Sequence, residues 1–264
     1  MKPLTEFDHA SAKRLRVVLT DIDDTLTLHG RLPARAYAAL EKLQASGLFV
    51  VPVTGRPAGW CDLIARQWPV DAVVGENGAF WFRHDDDTHR MIRMFFRPPA
   101  ERMADRRKLD RIAEEVLQNV KGAAISADQD FRSVDLAIDF CEDVAPLPAD
   151  DVDRIVRIFE SHGATAKISS IHVNGWYGAH DKLRCSVAML HELFGIDPEA
   201  HDVVLFVGDS PNDMPMFAHF RHTIGVANVR RFADKMTTPP AFVTAAESAD
   251  GFVELADYII AART

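Results

Sequence analysis

Apolar positions along the chain recur with two periods, and the order in which those periods alternate predicts an architecture. Arg16-Val17-Val18-Leu19-Thr20 is a short β-branched run that ends in acids, which predicts a buried strand. Tyr37, Leu40 and Leu43 recur at helical spacing over residues 33–46, with Pro33 suited to a first turn and Gly47 to a stop. Residues 48–53 read as a second strand, ending at Thr54-Gly55-Arg56-Pro57. A helix to about Trp68 follows, then a third strand over 71–74 that ends in Gly75-Glu76-Asn77-Gly78. Strands and helices alternating at this spacing predict a parallel sheet covered by helices.

The pattern then changes. Residues 80–82 and 91–96 flank Asp85-Asp86-Asp87, which predicts a hairpin with a charged tip, and Arg97-Pro98-Pro99 reads as a linker. A long helix over 101–120 carries Met103, Leu109, Ile112, Val116 and Val120 on one stripe. Val134, Leu136, Ile138 and Phe140 alternate with Ser133, Asp135, Ala137 and Asp139, predicting a strand buried on one face only. A helix over 151–162 and two short strands to Val173 complete what reads as an antiparallel α+β unit. From Asp181 the first pattern returns: a helix to Phe194 striped by Leu183, Val187 and Leu190, an apolar strand over 203–207 ending in Gly208-Asp209, and a last helix near 251–262. The expected fold is therefore α/β: a Rossmann-like parallel-sheet core (1–96 and 177–264) with helices on both faces, interrupted by an α+β domain (97–176).

Composition narrows the function classes. The chain is 47% apolar and 26% charged, which is ordinary for a globular protein, and no window approaches the ~18 apolar residues of a membrane helix. Its first residues show no apolar run behind a basic head, so no secretory signal is expected. Cys61, Cys141 and Cys185 are odd in number and widely spaced, which fits a reducing cytoplasm and argues against a disulfide framework. With 30 basic against 39 acidic side chains, net −9, a general nucleic-acid or anionic-membrane binder is not expected. A small anionic substrate held by one local positive site stays open, and nothing implies an obligate protein partner.

Ligands in open parallel sheets sit outside the carboxyl ends of the strands, so the polar residues there are the candidates for chemistry. Asp21 and Asp23 lie two apart; on a continuing strand they face the same way, about 6.6 Å apart along it. Such a pair repels unless a cation lies between or one acid is protonated, and hard oxygen ligands suit Mg²⁺. A solvated acidic turn is the plain alternative. Thr54-Gly55-Arg56 sets a hydroxyl and a permissive backbone at the next strand end, where free N–H groups can hold phosphate oxygens. Gly208-Asp209-Ser210-Pro211-Asn212-Asp213 repeats the acidic logic of the first strand end. Lys182, at the start of the helix that returns to the core, supplies a point positive charge for phosphoryl chemistry, or is simply a surface lysine.

Taken in order, Asp21-Ile22-Asp23-Asp24-Thr25, Thr54-Gly55-Arg56, Lys182 and Gly208-Asp209-Ser210-Pro211-Asn212-Asp213 resemble the four motifs of the haloacid dehalogenase superfamily of phosphatases. The resemblance covers the core, and Glu76-Asn77-Gly78-Ala79 looks like members whose cap is inserted between the second and third motifs. The inserted unit is similar to the class IIB caps of sugar-phosphate phosphatases, among them sucrose-phosphate, mannosyl-phosphoglycerate and phosphomannomutase relatives.

The resemblance implies roles. Asp21 would be the nucleophile, and Asp23 the acid and then base. Thr54 and the Gly55 amide would hold the phosphoryl group, and Lys182 would neutralise it together with the nucleophile. Asp209 would bind Mg²⁺ with the Asp21 carboxylate and the Asp23 backbone carbonyl, Asp213 would support the metal's waters, and Asn212 would orient Lys182. Two departures are visible: Leu183 follows the lysine, and Asp24 stands after Asp23, where many relatives have glycine.

Substrate choice falls to the cap, where residues 167–174 approach the core. His172 and Asn174 share a strand face and would hydrogen-bond sugar hydroxyls, and Lys167 would meet a second anion; a sheet face open to water is the alternative. Arg56 would contact substrate or pair with an acid, and Trp176 and Tyr177 would stack on a sugar or fill a hinge. The expected activity is Mg²⁺-dependent hydrolysis of a small phosphorylated metabolite, a sugar phosphate. A phosphomutase using Asp21, and a non-catalytic binding relative, are the alternatives.

Overall fold

The computed structural model of the protein describes residues 1–169, 171–197 and 199–264; Ser170, within the stretch 167–174 singled out above, lies outside them. The chain opens with β1 (Lys2–Pro3), α1 (His9–Arg14), β2 (Val17–Thr20), α2 (Ala34–Ala45), β3 (Phe49–Pro52), α3 (Ala58–Gln67), β4 (Val73–Gly75), β5 (Phe80–Asp85) and β6 (Arg90–Phe95). The insert comprises α4 (Pro99–Asn119), β7 (Ala124–Ile125), β8 (Leu136–Asp139), α5 (Ala149–Ser161), β9 (Thr165–Ile168) and β10 (His172–Trp176). The chain then returns through α6 (Lys182–Phe194), β11 (Val204–Gly208), α7 (Met214–His219), β12 (His222–Gly225), β13 (Phe242–Val243) and α8 (Ser248–Arg263).

The main sheet runs β1-β13-β12-β11-β2-β3, and every pair in it is parallel. Its strands β3, β2 and β11 are almost wholly apolar because both faces are covered. Val18, Val50 and Leu205 pack with α2 and α8, while their neighbours Val17, Leu19, Val51 and Phe206 pack with α6 and α7. The first strand and helix carry no long periodic run, yet Leu4 and Phe7 are buried and Asp8 caps α1 by accepting from the Ala10 and Ser11 amides.

The third predicted strand departs from the expected parallel ladder. β4 touches β3 through a single parallel bridge, Val53 to Val74, and then pairs antiparallel with β5, which pairs antiparallel with β6. The chain reverses within three residues, Glu76, Asn77 and Gly78, all at positive φ (43°, 54° and 96°), which leaves no room for a crossover helix. A Cβ on Gly78 would come within 2.0 Å of the Asp181 carbonyl oxygen, so this turn sits directly against the start of α6.

The insert has a four-stranded antiparallel sheet, β7-β8-β10-β9, backed by α4 and α5 around Leu109, Ile112, Val116, Ile138, Ile155 and Phe159. Met103, expected on the buried stripe of α4, is exposed, since the apolar face of the helix joins the insert's core only from Leu109, in its third turn. The expected open face of β8 and β10 is also corrected: Asp135, Asp139, His172 and Asn174 are all buried. That polar face is turned onto the strand ends of the core and closes over them. Trp176 is buried at the junction, where its indole donates to the His180 carbonyl and stacks on the His180 ring. The Tyr177 hydroxyl donates to the His162 carbonyl, so neither aromatic faces the cavity below the insert. No helix among the described residues is long and apolar enough to cross a membrane.

Candidate active site

β2 and β11 are neighbours, with Thr20 opposite Val207, so their carboxyl ends deliver Asp21 and Asp209 to the same place. The Asp21 amide continues the ladder by donating to the Val207 carbonyl (2.9 Å). α6 starts at Lys182 because the Asp181 carboxylate accepts from the Arg184 amide as its N-cap. From there the Lys182 ammonium donates to Asp21 Oδ1 (2.7 Å) and to Asp213 Oδ1 (3.0 Å). Asp213 therefore orients Lys182, whereas Asn212, expected in that role, accepts from the Ser210 hydroxyl (2.7 Å) and lines the cavity. The tight Pro211–Asp213 turn points Asp213 inward, and Gly208 makes room for it: a Cβ there would lie 2.3 Å from Asp213 Oδ2.

Carboxylate oxygens of Asp21, Asp209 and Asp213 all lie within 4.8 Å of one another, and all three residues are buried. Burial pushes the Asp21 carboxyl up to about 7, with Asp213 and Asp23 adding and Lys182 opposing. Burial likewise drives Asp209 well above its ordinary value, with Asp21 and Asp213 adding to it. Burial works against the Lys182 ammonium, but Asp21 and Asp213 outweigh it and raise its pKa. One ammonium among three buried carboxylates leaves an excess of negative charge, and a set of hard oxygen donors of this kind fits Mg²⁺. Asp213 has both oxygens engaged, by Lys182 and by the Asp209 amide, and Asn228 donates to Asp209 Oδ2. Asp21 Oδ2 and Asp209 Oδ1 have no hydrogen bond from the described residues and face the remaining space.

Asp23 points to the other side of the site. Arg56 grips it with Nε at 3.1 Å from both carboxylate oxygens and Nη2 at 2.7 Å from Oδ1, so Arg56 pairs with an acid. The same guanidinium lies 3.6 Å from Glu142 of the insert and over the Trp60 ring. A cavity of about 660 Å³ lies between core and insert; Asp21, Asp23, Gly55, Arg56, Lys182 and Asp209 form its floor, and Ser169, Ile171, His172 and Asn174 its roof. Thr54 is fully buried beside this floor, its hydroxyl oxygen accepting from the Arg56 amide (3.0 Å). His172 stands 2.9 Å from Glu142, and burial, with Arg132 adding, lowers its pKa to about 4, so the ring is neutral near pH 7. Lys167 is exposed and does not line the cavity.

Two residues beside the site, Asn228 and Glu76, have roles that the sequence did not assign. Asn228 holds Asp209 and the Asp24 carbonyl while its own carbonyl accepts from the Ser248 amide. Glu76, in the turn after β4, is fully buried; its carboxylate accepts from the Ala58, Ser133, Val134 and Asp135 amides (2.7–3.1 Å). Only its place beside the left-handed Asn77-Gly78 turn hints at such a role.

Burial raises the Glu76 carboxyl from its ordinary 4.5 to about 7, with Asp135 adding and the N–H donors and Arg132 opposing. The folded state then holds the proton more tightly than the unfolded state between those values. The stability Glu76 contributes therefore falls as pH rises from about 4.5 to 7 and is flat above. Urea unfolding of the wild type and of Glu76→Gln across this window is expected to show their difference in stability shrinking by on the order of 3 kcal/mol. Parallel curves would refute it.

Residues 18–95 match the family model of haloacid dehalogenase-like hydrolases. A phosphoglycolate phosphatase of Thermoplasma acidophilum is 25% identical over 205 residues, 77% of this chain and 81% of that one. Among solved structures, a Thermoplasma acidophilum protein superposes with a TM-score of 0.71 at 19% identity, covering 93% of this chain and 98% of that one. A sugar phosphatase of haloacid dehalogenase subclass IIB superposes with a TM-score of 0.64 at 16% identity, covering 92% and 98%. Over residues 18–95 the chain thus matches the haloacid dehalogenase-like hydrolases, and its fold, with carboxylates at adjoining strand ends, is similar to that of the solved structures of this class.

Proposed function

We propose that the protein is a Mg²⁺-dependent phosphomonoesterase acting on a small phosphorylated metabolite with a neutral, hydroxyl-rich leaving group, a sugar phosphate. One observation carries the reading: Lys182 bridges Asp21 and Asp213 beside Asp209 at adjoining strand ends, while Asp23 faces the space under the insert. Asp21 is the nucleophile. One of its oxygens bonds to phosphorus as the bond from phosphorus to the leaving oxygen breaks, and Asp23 gives that oxygen its proton. Asp23, again a carboxylate, then takes a proton from water, which attacks phosphorus and frees Asp21. Lys182 offsets charge on the nucleophile and on the phosphoryl oxygens. Mg²⁺, held by Asp21 and Asp209 with Asp213 in support, would supply further charge neutralisation at the phosphoryl group.

Residues 97–176 act as a cap that selects the leaving group and excludes water. Neutral His172, Asn174 and Ser169 offer hydrogen bonds on the roof. Of the guanidinium groups that line the cavity, Arg56 is committed to Asp23 and Glu142, Arg132 to Asp128 and Asp135, and Arg231 to Glu247. That favours sugar hydroxyls over a second anion beside Asp23. Phosphate release across hexose and pentose phosphates, 2-phosphoglycolate and an aryl phosphate, with Mg²⁺ and with chelator, tests the reading. The expected result is metal-dependent turnover with a sugar phosphate preferred by kcat/KM. Preference for 2-phosphoglycolate would overturn the substrate class. Release only upon adding a sugar bisphosphate, with phosphate returned to sugar, would mark a mutase.

A further inference from the structure

The loop that follows β3 is held by two different parts of the chain. Of its three successive carbonyls, Thr54 is taken by the Asn77 amide (3.0 Å) and Arg56 by the Glu76 amide (3.1 Å), both from the core's own turn. The carbonyl between them, Gly55, is taken by Arg132 Nη1 (3.1 Å), which belongs to the insert. Arg132 is itself fixed. Its side chain is 1% exposed, with Asp128 on Nε and Nη2 (2.9 and 3.0 Å) and Asp135 on Nη1 (3.0 and 3.1 Å). Asn174, on the cavity roof, donates to Asp135 (3.0 Å) and extends the network to the substrate side. The three residues after Arg132 are bound by their amides to Glu76, whose carboxylate also takes the Ala58 amide at the start of α3. Arg132 and Glu76 thus grip residues 55–58 at both ends, and each grip runs through the segment 132–135.

A Gly-X peptide rotates easily because glycine has no Cβ to restrict it. Fixing the Gly55 carbonyl fixes the N–H at the other end of the same peptide plane, the Arg56 amide, on the Thr54 hydroxyl oxygen. That hydroxyl, with a lone pair engaged, is left with its proton to donate. The same peptide carries the Arg56 side chain that grips Asp23. We propose that Arg132 is a positioning residue: it sets the Gly55–Arg56 peptide, and through it Thr54 and Arg56, so that the phosphoryl-facing loop is competent only while the insert is docked. The kinetic part of this inference rests on the phosphatase reading; the structural part does not.

Arg132→Lys keeps the charge that Asp128 and Asp135 need but lacks the planar fork that reaches both acids and the Gly55 carbonyl together. Two readouts separate positioning from mere stability. In amide hydrogen exchange, the Arg56 amide is expected to exchange about tenfold faster while β11 amides stay protected. In turnover of the best substrate found, kcat is expected to fall about tenfold to a hundredfold with KM changed by less than about threefold. Should Arg132→Lys not fold, Arg132→Met with Asp128→Asn, which leaves the local charge unchanged, takes its place. An Arg56 amide as protected as in the wild type, or one released without loss of kcat, overturns the proposal. If the wild type hydrolyses none of the substrates, the phosphatase reading falls instead, and the exchange measurement alone decides whether Arg132 sets the loop.

Discussion

Asp21→Asn is expected to lower kcat by about four orders of magnitude and to leave the protein as stable as the wild type, or more so. The two halves of this result have one cause. Asp21 is buried against Asp209 and Asp213, and its charge is unfavourable enough there that its pKa rises to about 7. An amide of the same shape removes the nucleophilic oxygen and, with it, one of the repelling charges. Lys182 keeps its bond to Asp213, so no buried ammonium is left unpaired. Phosphate release with Mg²⁺ and thermal unfolding without metal, both on one preparation at pH 8, give the two numbers. Turnover near the wild-type rate would end the proposed mechanism. A large loss of stability would show that the Asp21 carboxylate holds the fold rather than being held by it.

Lys182→Met is expected to have the opposite balance, costing both activity and stability. Among the described residues the ammonium is the sole positive group paired with Asp21 and Asp213, and its removal leaves three carboxylates within 4.8 Å with no bridging cation. Removing one partner of a buried ion pair typically costs about 3–5 kcal/mol. Part of that cost is relieved as the cluster takes up a proton, which Asp21, no longer opposed by Lys182, does at a higher pH than in the wild type. The loss of charge stabilisation at the phosphoryl group should reduce kcat by about 10³-fold. Mg²⁺, which on the proposed reading is held by the folded state alone, should when added return part of the lost stability without returning the activity. Urea unfolding with and without Mg²⁺ reads this directly. Equal stability of the two proteins in chelator would mean that Lys182 does not offset the acids.

The two substitutions also bear on what a sequence discloses. Asp21 and Asp209 were legible because each follows an apolar run whose length and β-branching mark a strand buried on both faces. The placing of ligand sites at strand ends then makes any acid there a candidate. Lys182 was legible only by its order after the insert, and the structure supplies what order cannot, the 2.7 Å bond to Asp21. Asn212 and Asp213 are adjacent in one tight turn, and pattern alone does not tell which of them faces inward. The space that Gly208 leaves for the Asp213 carboxylate decides it.

The insert shows the sharper limit. Alternation along 133–140 marks one apolar and one polar face, and a polar face alone reads as solvent-exposed. In the folded protein Asp135 and Asn174 are buried against each other and Arg132, and Asp139 is buried under the Cys141, Glu142 and Asp143 amides of the loop that follows it. Glu76 and Arg132 stand 56 residues apart, and neither belongs to a periodic run. Hydrophobic periodicity is a local property, set by the geometry of a single helix or strand, and so the sequence by itself determined the longer strands and helices and the acids at their ends. Which charged group meets which, and so how Arg56 grips Asp23 and how Arg132 holds the Gly55 carbonyl, depends on segments brought together only by packing, and the tertiary structure alone decided it.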